Sequence, residues 1–194
     1  MDLNKSVRMV VDTGKAELGT DKAYFDVNAR RFDSPLISPN GQAIIFRRAG
    51  SDVGTAYTVM SATGVMLMPA KELLYPAGYA WDPTGTKVVF TGQSVNSNGS
   101  GKAPVSFYLF DTAQSGAPKV IATYGKTFVE DLAWSPDGST IAWAEWDKTK
   151  YRSGNLYLMP AGGGDSKKLA DWAIMPAWAP GAKATPTPAA SPSP

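Results

Sequence analysis

Apolar and polar residues alternate along this chain with the two-residue period of half-buried strands, and proline and glycine break the alternation into short runs. "AIIFRR" (43–48), "KVVFTG" (87–92) and "TIAWAE" (140–145) form one set of such runs. Each follows a Pro-x-Gly turn, where proline fixes φ at the first corner and glycine permits φ > 0. A short apolar run precedes each turn. After a polar loop comes a third run, "TAYTVMSA" (55–62), "VSFYLFDTA" (105–113) or "GNLYLMPA" (154–161). A weaker fourth follows, as in "PKVIATY" (118–124) and "KKLADW" (167–172). The pattern predicts strands throughout, four to a unit.

The unit repeats. "LISPNGQAIIFRR" begins at Leu36, "AWDPTGTKVVFTG" at Ala80, "AWSPDGSTIAWAE" at Ala133 and a last "AWAPGAK" at Ala177. The shared prolines, Pro39, Pro83, Pro136 and Pro180, are 44, 53 and 44 residues apart. The longer middle spacing comes from "SVNSNGSGKAP" (94–104), whose composition reads as an extended loop. Four short strands in about 44 residues is the blade period of a β-propeller, so the fold class expected is all-β, built of four-stranded antiparallel blades.

"AWSPDGSTIAWAE" followed by "GNLYLMPAGGGDSKKLAD" also resembles the TolB-like, WD40-like propeller repeat, across roughly residues 7–181. The resemblance is looser at Asp33, where Ile37 stands in place of the tryptophan before the turn, and "AWAPGAK" lacks one turn residue and the following strand. The N-terminal "VRMVVDTGKAEL" (7–18) reads as a third strand, turn and fourth strand. The inventory is therefore three whole blades, two strands in front and one strand behind. Two arrangements fit: a small four-bladed ring lacking a strand, or part of a larger propeller. Propellers of this repeat type usually carry six or more blades, so the resemblance implies a partial domain (1–181). Open blade edges would then invite self-association. Residues 182–194, "AKATPTPAASPSP", carry nothing larger than alanine to bury and are expected to form a disordered Pro/Thr/Ser-rich linker.

Composition narrows the chemistry. Apolar residues are 43% and charged residues 19%, the balance of a folded protein. Nineteen basic against seventeen acidic side chains, scattered along the chain, give no nucleic-acid footprint. There is no Cys and no His, which removes thiolate nucleophiles, Cys- or His-ligated metals and the Ser-His-Asp triad from these residues. No cofactor is expected, and the chain is expected not to be an enzyme. No apolar run is long enough to span a membrane, and "MDLNKSVRMVVDTGK" has no signal-peptide layout. Tracts like the Pro-rich tail often join extracellular modules to a wall or anchor in bacteria, which points to a periplasmic or extracellular location.

Several features invite a chemical reading and yield to a structural one. Asn40, Asp82 and Asp137 sit one per turn, a blade apart, whereas a calcium loop gathers its oxygens in one segment. The glycine run of "MPAGGGDSKK" lacks phosphate-loop spacing and reads as a hairpin. Ser135 lacks the surroundings of a nucleophile elbow. Glu130, Asp131, Glu145 and Asp147 could line one mouth of the propeller, a weak basis for carboxylate catalysis. Trp81, Trp134 and Trp178 recur at one repeat position and read as blade-to-blade packing, and Trp143 as core.

The leading expectation is a non-catalytic module that binds a protein or a cell-envelope component. The alternatives are the substrate-gating propeller of a prolyl-oligopeptidase-like peptidase and the ectodomain of a membrane-anchored sensor. The most decorated loops are second-to-third: 50–55, 93–104 and 147–154. Trp146, Lys148, Tyr151 and Arg152 are the candidate contact residues, with Arg47 and Arg48 next, because an arginine and two aromatics in one loop match hot-spot composition. Second-to-third and fourth-to-first loops are expected on opposite sides of the stack.

Overall fold

The computed structural model describes residues 32–49, 55–74, 78–94, 104–114, 116–125, 128–146 and 154–179. Among them are twelve strands and no helix. Blade 1 comprises β1 (Phe32–Ile37), β2 (Ala43–Ala49), β3 (Thr55–Ser61) and β4 (Met66–Leu74). Blade 2 comprises β5 (Tyr79–Trp81), β6 (Lys87–Ser94), β7 (Val105–Asp111) and β8 (Lys119–Tyr124). Blade 3 comprises β9 (Phe128–Trp134), β10 (Thr140–Trp146), β11 (Gly154–Pro160) and β12 (Lys167–Ala170). Every pairing is antiparallel between neighbours in sequence, save one: the end of β4 also pairs with the end of β6, Leu73 with Ser94 and Leu74 with Gln93. Strand β5 has only three residues and leaves that end of β6 open, so blades 1 and 2 share a continuous sheet. The segments 1–31 and 180–194, with the expected leading strands and linker, lie outside the described residues.

The same turn opens each blade. Ser38, Asp82 and Ser135 donate their backbone N–H to Ala43, Lys87 and Thr140, each at 2.8 Å. Gly41, Gly85 and Gly138 take φ of 69°, 72° and 72°, the left-handed region that glycine enters without strain. Ser38 Oγ accepts from Ala43 N–H (2.9 Å) and donates to Asn40 Oδ1 (2.8 Å). Ser135 does the same with Thr140 N–H (2.9 Å) and Asp137 Oδ1 (2.7 Å). In blade 2 the roles exchange: Asp82 accepts from Lys87 N–H (2.7 Å) and from the Thr84 hydroxyl. These side chains act in turns, as their spacing predicts.

Two mixed cores hold the blades face to face. Ile45, Tyr57, Val59, Met68 and Leu73 of blade 1 meet Trp81, Val88, Phe90, Tyr108 and Phe110 of blade 2. Val89, Val105 and Phe107 of blade 2 meet Val129, Ile141, Trp143 and Met159 of blade 3. The alternation of each strand explains this, since Val88 and Phe90 face one neighbour while Val89 faces the other. An aromatic stack repeats with it: Phe90 on Tyr108 (5.4 Å, 15°) and Trp143 on Tyr157 (4.3 Å, 12°). Trp143 is fully buried, as expected of a core residue.

The repeated tryptophans fasten blade to blade at two of three positions. Trp81 Nε1–H donates to Leu36 O (2.9 Å), and Trp178 Nε1–H to Ala133 O (3.1 Å), each reaching back 45 residues. Trp178 thus stands against blade 3 as Trp81 stands against blade 1. Trp134 instead donates to Gly138 O in its own turn (3.0 Å), while its ring packs at the core between blades 2 and 3.

The expected placement of the loops needs correction. Trp146, at the end of β10, pairs with both Phe128 and Gly154, the first residues of β9 and β11. Ala173, in the segment leaving β12, donates its N–H to Gly154 O (2.9 Å). Second-to-third and fourth-to-first connections therefore share one end of the blades, because an antiparallel meander reverses direction at every strand.

Candidate functional site

That shared end holds the described candidate contact residues. Arg47 and Arg48 lie near the end of β2, in register with Tyr57 and Ala56, and Trp146 closes β10. By strand direction all three belong to the loop end, and the backbone alone fixes the positions of Arg48 and Trp146. Lys148, Tyr151 and Arg152 lie outside the described residues.

Residues absent from the sequence-based candidates also stand here. After β12 the chain crosses the end of blade 3, with Met175 N–H donating to Asp131 Oδ2 (3.1 Å) and Ala173 N–H to Gly154 O. Gly154 is required, since a Cβ there would sit 1.8 Å from Glu145 O and 3.3 Å from Ile174 Cγ2. Trp172 and Met175 adopt φ of 57° and 56°, left-handed values that cost bulky L-residues about 1–2 kcal/mol each. Their side chains are 71% and 72% exposed. An apolar pair held out to solvent on strained backbone is a feature of contact surfaces. The available signal was "DWAIMP" (171–176), whose tryptophan falls outside the repeat position.

Between blades 2 and 3 the same end carries a polar aromatic cluster. Glu145 Oε2 accepts from the Tyr157 hydroxyl (3.0 Å) and from Asn155 Nδ2 (3.2 Å). Tyr157 lies 5.4 Å from Tyr124, and both rings pack on Trp143. Burial, with hydrogen bonds to Tyr124 and Glu145 and the charge of Glu145, pushes the Tyr157 hydroxyl well above its ordinary pKa. On the face of β6 turned toward blade 3, the Gln93 side-chain oxygen is buried without a hydrogen-bond partner among the described residues, a loss of about 1–3 kcal/mol. Asp131 and Glu145 do not converge. Asp131 pairs with Ala144 and turns to Met175 on the outer face, while Glu145 turns to Tyr157 between the blades. Among the described residues no group of three His, Cys, Asp or Glu could hold a metal ion. No described helix is long and apolar enough to cross a membrane.

The glycine run belongs to the joint between blades 2 and 3. Gly163 takes φ of 94°, and a Cβ there would fall 2.1 Å from Ile121 O on β8. Gly164 N–H donates to that same oxygen (3.3 Å).

No protein-family model matches the chain. A curated relative, an uncharacterized peptidase, YuxL, of Bacillus subtilis, is 29% identical over 101 residues, covering 50% of this chain and 15% of the relative. A prolyl endopeptidase structure, from work on inter-domain dynamics in catalysis and specificity, aligns with 74% of this chain and 22% of its own (TM-score 0.59, 13% identity). A eukaryotic initiation factor aligns with 75% of this chain and 34% of its own (TM-score 0.52, 9% identity). TolB from Acinetobacter baumannii aligns over 71% of this chain and 32% of its own, at 19% identity and a TM-score of 0.45. The chain thus spans a small part of the proteins it resembles. The first two structural likenesses, with the blade topology above, show a propeller fold, in part. The expectation that the chain is not an enzyme is contradicted by its sequence similarity to a peptidase. The absence of His and Cys describes these 194 residues; the peptidase is far longer than the stretch they match.

Proposed function

We propose that these blades are the substrate-gating propeller portion of a prolyl-oligopeptidase-like peptidase, receiving a polypeptide at their loop end. The observation that carries this is the 29% identity to a peptidase over 101 residues. Supporting it, the loop end exposes Trp172 and Met175 on one side of blade 3 and carries an aromatic cluster with hydrogen-bonding capacity on the other. In this reading the blades select and admit the chain, and bond breaking belongs to a hydrolase domain. Trp146, Lys148, Tyr151, Arg152, Arg47 and Arg48 are the proposed contacts. Titrating fluorescent unstructured peptides into the purified protein should show saturable binding. Trp146→Ala with Arg152→Ala should weaken it without lowering Tm; unchanged binding would remove this loop from the reading.

A second reading, capture of a folded protein or cell-envelope component in a periplasmic or extracellular setting, is supported by the Pro-rich composition of 182–194. It predicts that unstructured peptides fail to bind while a folded partner is retained.

A further inference from the structure

The geometry points to a binding site for an alkylammonium group at the loop end of the seam between blades 2 and 3, formed by Gln93, Glu145, Tyr124 and Tyr157. This deepens the peptide-binding reading and rests on it. Strand alternation puts Gln93 on the same face of β6 as Val89, which enters the core with blade 3, and Thr91, whose hydroxyl donates to Val129 O (3.2 Å). Val129 is in register with Glu145 across β9 and β10. Gln93 is in register with Val105, which pairs in turn with Tyr124. The four residues therefore face the same seam at its loop end, from two strands of blade 2 and two of blade 3.

What they offer is acceptors without cations. The Gln93 oxygen is buried, its residue 4% exposed, with no donor to meet it. Glu145 receives only neutral donors among the described residues, both through Oε2, which leaves Oε1 to accept. Tyr124 and Tyr157 add aromatic rings, whose faces attract cations. Acceptors, a carboxylate and aromatic faces together suit a group with several N–H donors and a positive charge. On a polypeptide, that group is a lysine side chain or a free amino terminus. The equivalent place between blades 1 and 2 is filled: Gly92 stands where Glu145 stands, and Leu73 occupies the space, 2.7 Å from where a Cβ would lie.

The test is isothermal titration of the full chain with three short alanine-based peptides. One is blocked at both ends with a central lysine, one is blocked with norleucine instead, and one carries norleucine and a free amino terminus. Binding of the lysine peptide about tenfold or more tighter than the blocked norleucine peptide is expected, weakening with salt. Glu145→Gln, which still accepts from Tyr157, should abolish that preference at unchanged Tm, and Gln93→Leu should reduce it. If only the free-amine peptide shows the preference, the ammonium site stands and its source is the chain terminus. Equal binding of all three would overturn the ammonium site while leaving peptide recognition intact. No binding of any would overturn both.

Discussion

Blade 1 meets blade 2 through aliphatic and aromatic side chains and shared strand hydrogen bonds; blade 2 meets blade 3 through aliphatic and aromatic side chains as well, with Glu145 and Gln93 placed at the loop end of that joint. The repeat supplies the same frame to both joints, including the ring stacks Phe90–Tyr108 and Trp143–Tyr157. The differences lie at the loop end. At the first joint Gly92 makes room for Leu73, and β4 continues onto β6. At the second, the position of Gly92 is Glu145, no described strand bridges the blades, and the Trp134 N–H bonds to its own turn rather than to the neighbouring blade, although its ring packs in the joint. A repeat can thus keep its packing layer while varying the ends of its strands, and here the variation puts a leucine at one joint and polar groups at the other.

The largest test of this comparison removes an aromatic anchor. Trp143→Ala takes away a fully buried ring that touches Phe107, Tyr124 and Tyr157, together with its hydrogen bond to Ser166 (3.1 Å). A loss of about 3–5 kcal/mol is expected in urea unfolding, with blade 3 released before blades 1 and 2. Next comes Gly163→Ala, which pushes a Cβ into Ile121 O and imposes a left-handed φ on alanine. It should cost about 1–3 kcal/mol, and the loss should again fall on the joint between blades 2 and 3. The smallest test compares tryptophans. Trp81→Phe breaks the hydrogen bond to Leu36 O and should cost about 1 kcal/mol. Trp134→Phe should cost a similar amount but loosen a turn. Hydrogen exchange at β1 should respond to the first substitution and not to the second.

Much of the frame was legible in the sequence because it depends on local chemistry. Pro-x-Gly followed by "AIIF", "KVVF" or "TIAW" announces a hairpin wherever it stands, and the spacing of Pro39, Pro83 and Pro136 announces blades. The central place of Trp143 followed from its apolar surroundings. The site was less legible. Glu145 and Gln93 are 52 positions apart, and only the stacking of one blade on the next brings their faces together. Nothing local in "TGQS" distinguishes a buried Gln93 from a loop amide. The union of β4 with β6 arises because β5 is short, and its partner is chosen by the neighbouring blade. The loop ends were misplaced for a geometric reason: counting reversals along an antiparallel blade returns the second and fourth connections to the same side.

Native-state hydrogen exchange across all three blades bears most directly on the difference between the joints. The account predicts that the amides of β2, β3, β6 and β7 exchange together in the global unfolding event. Those of β10 and β11 should exchange through a separate, lower-energy opening of blade 3. A single opening free energy shared by β3, β6 and β10 would contradict it.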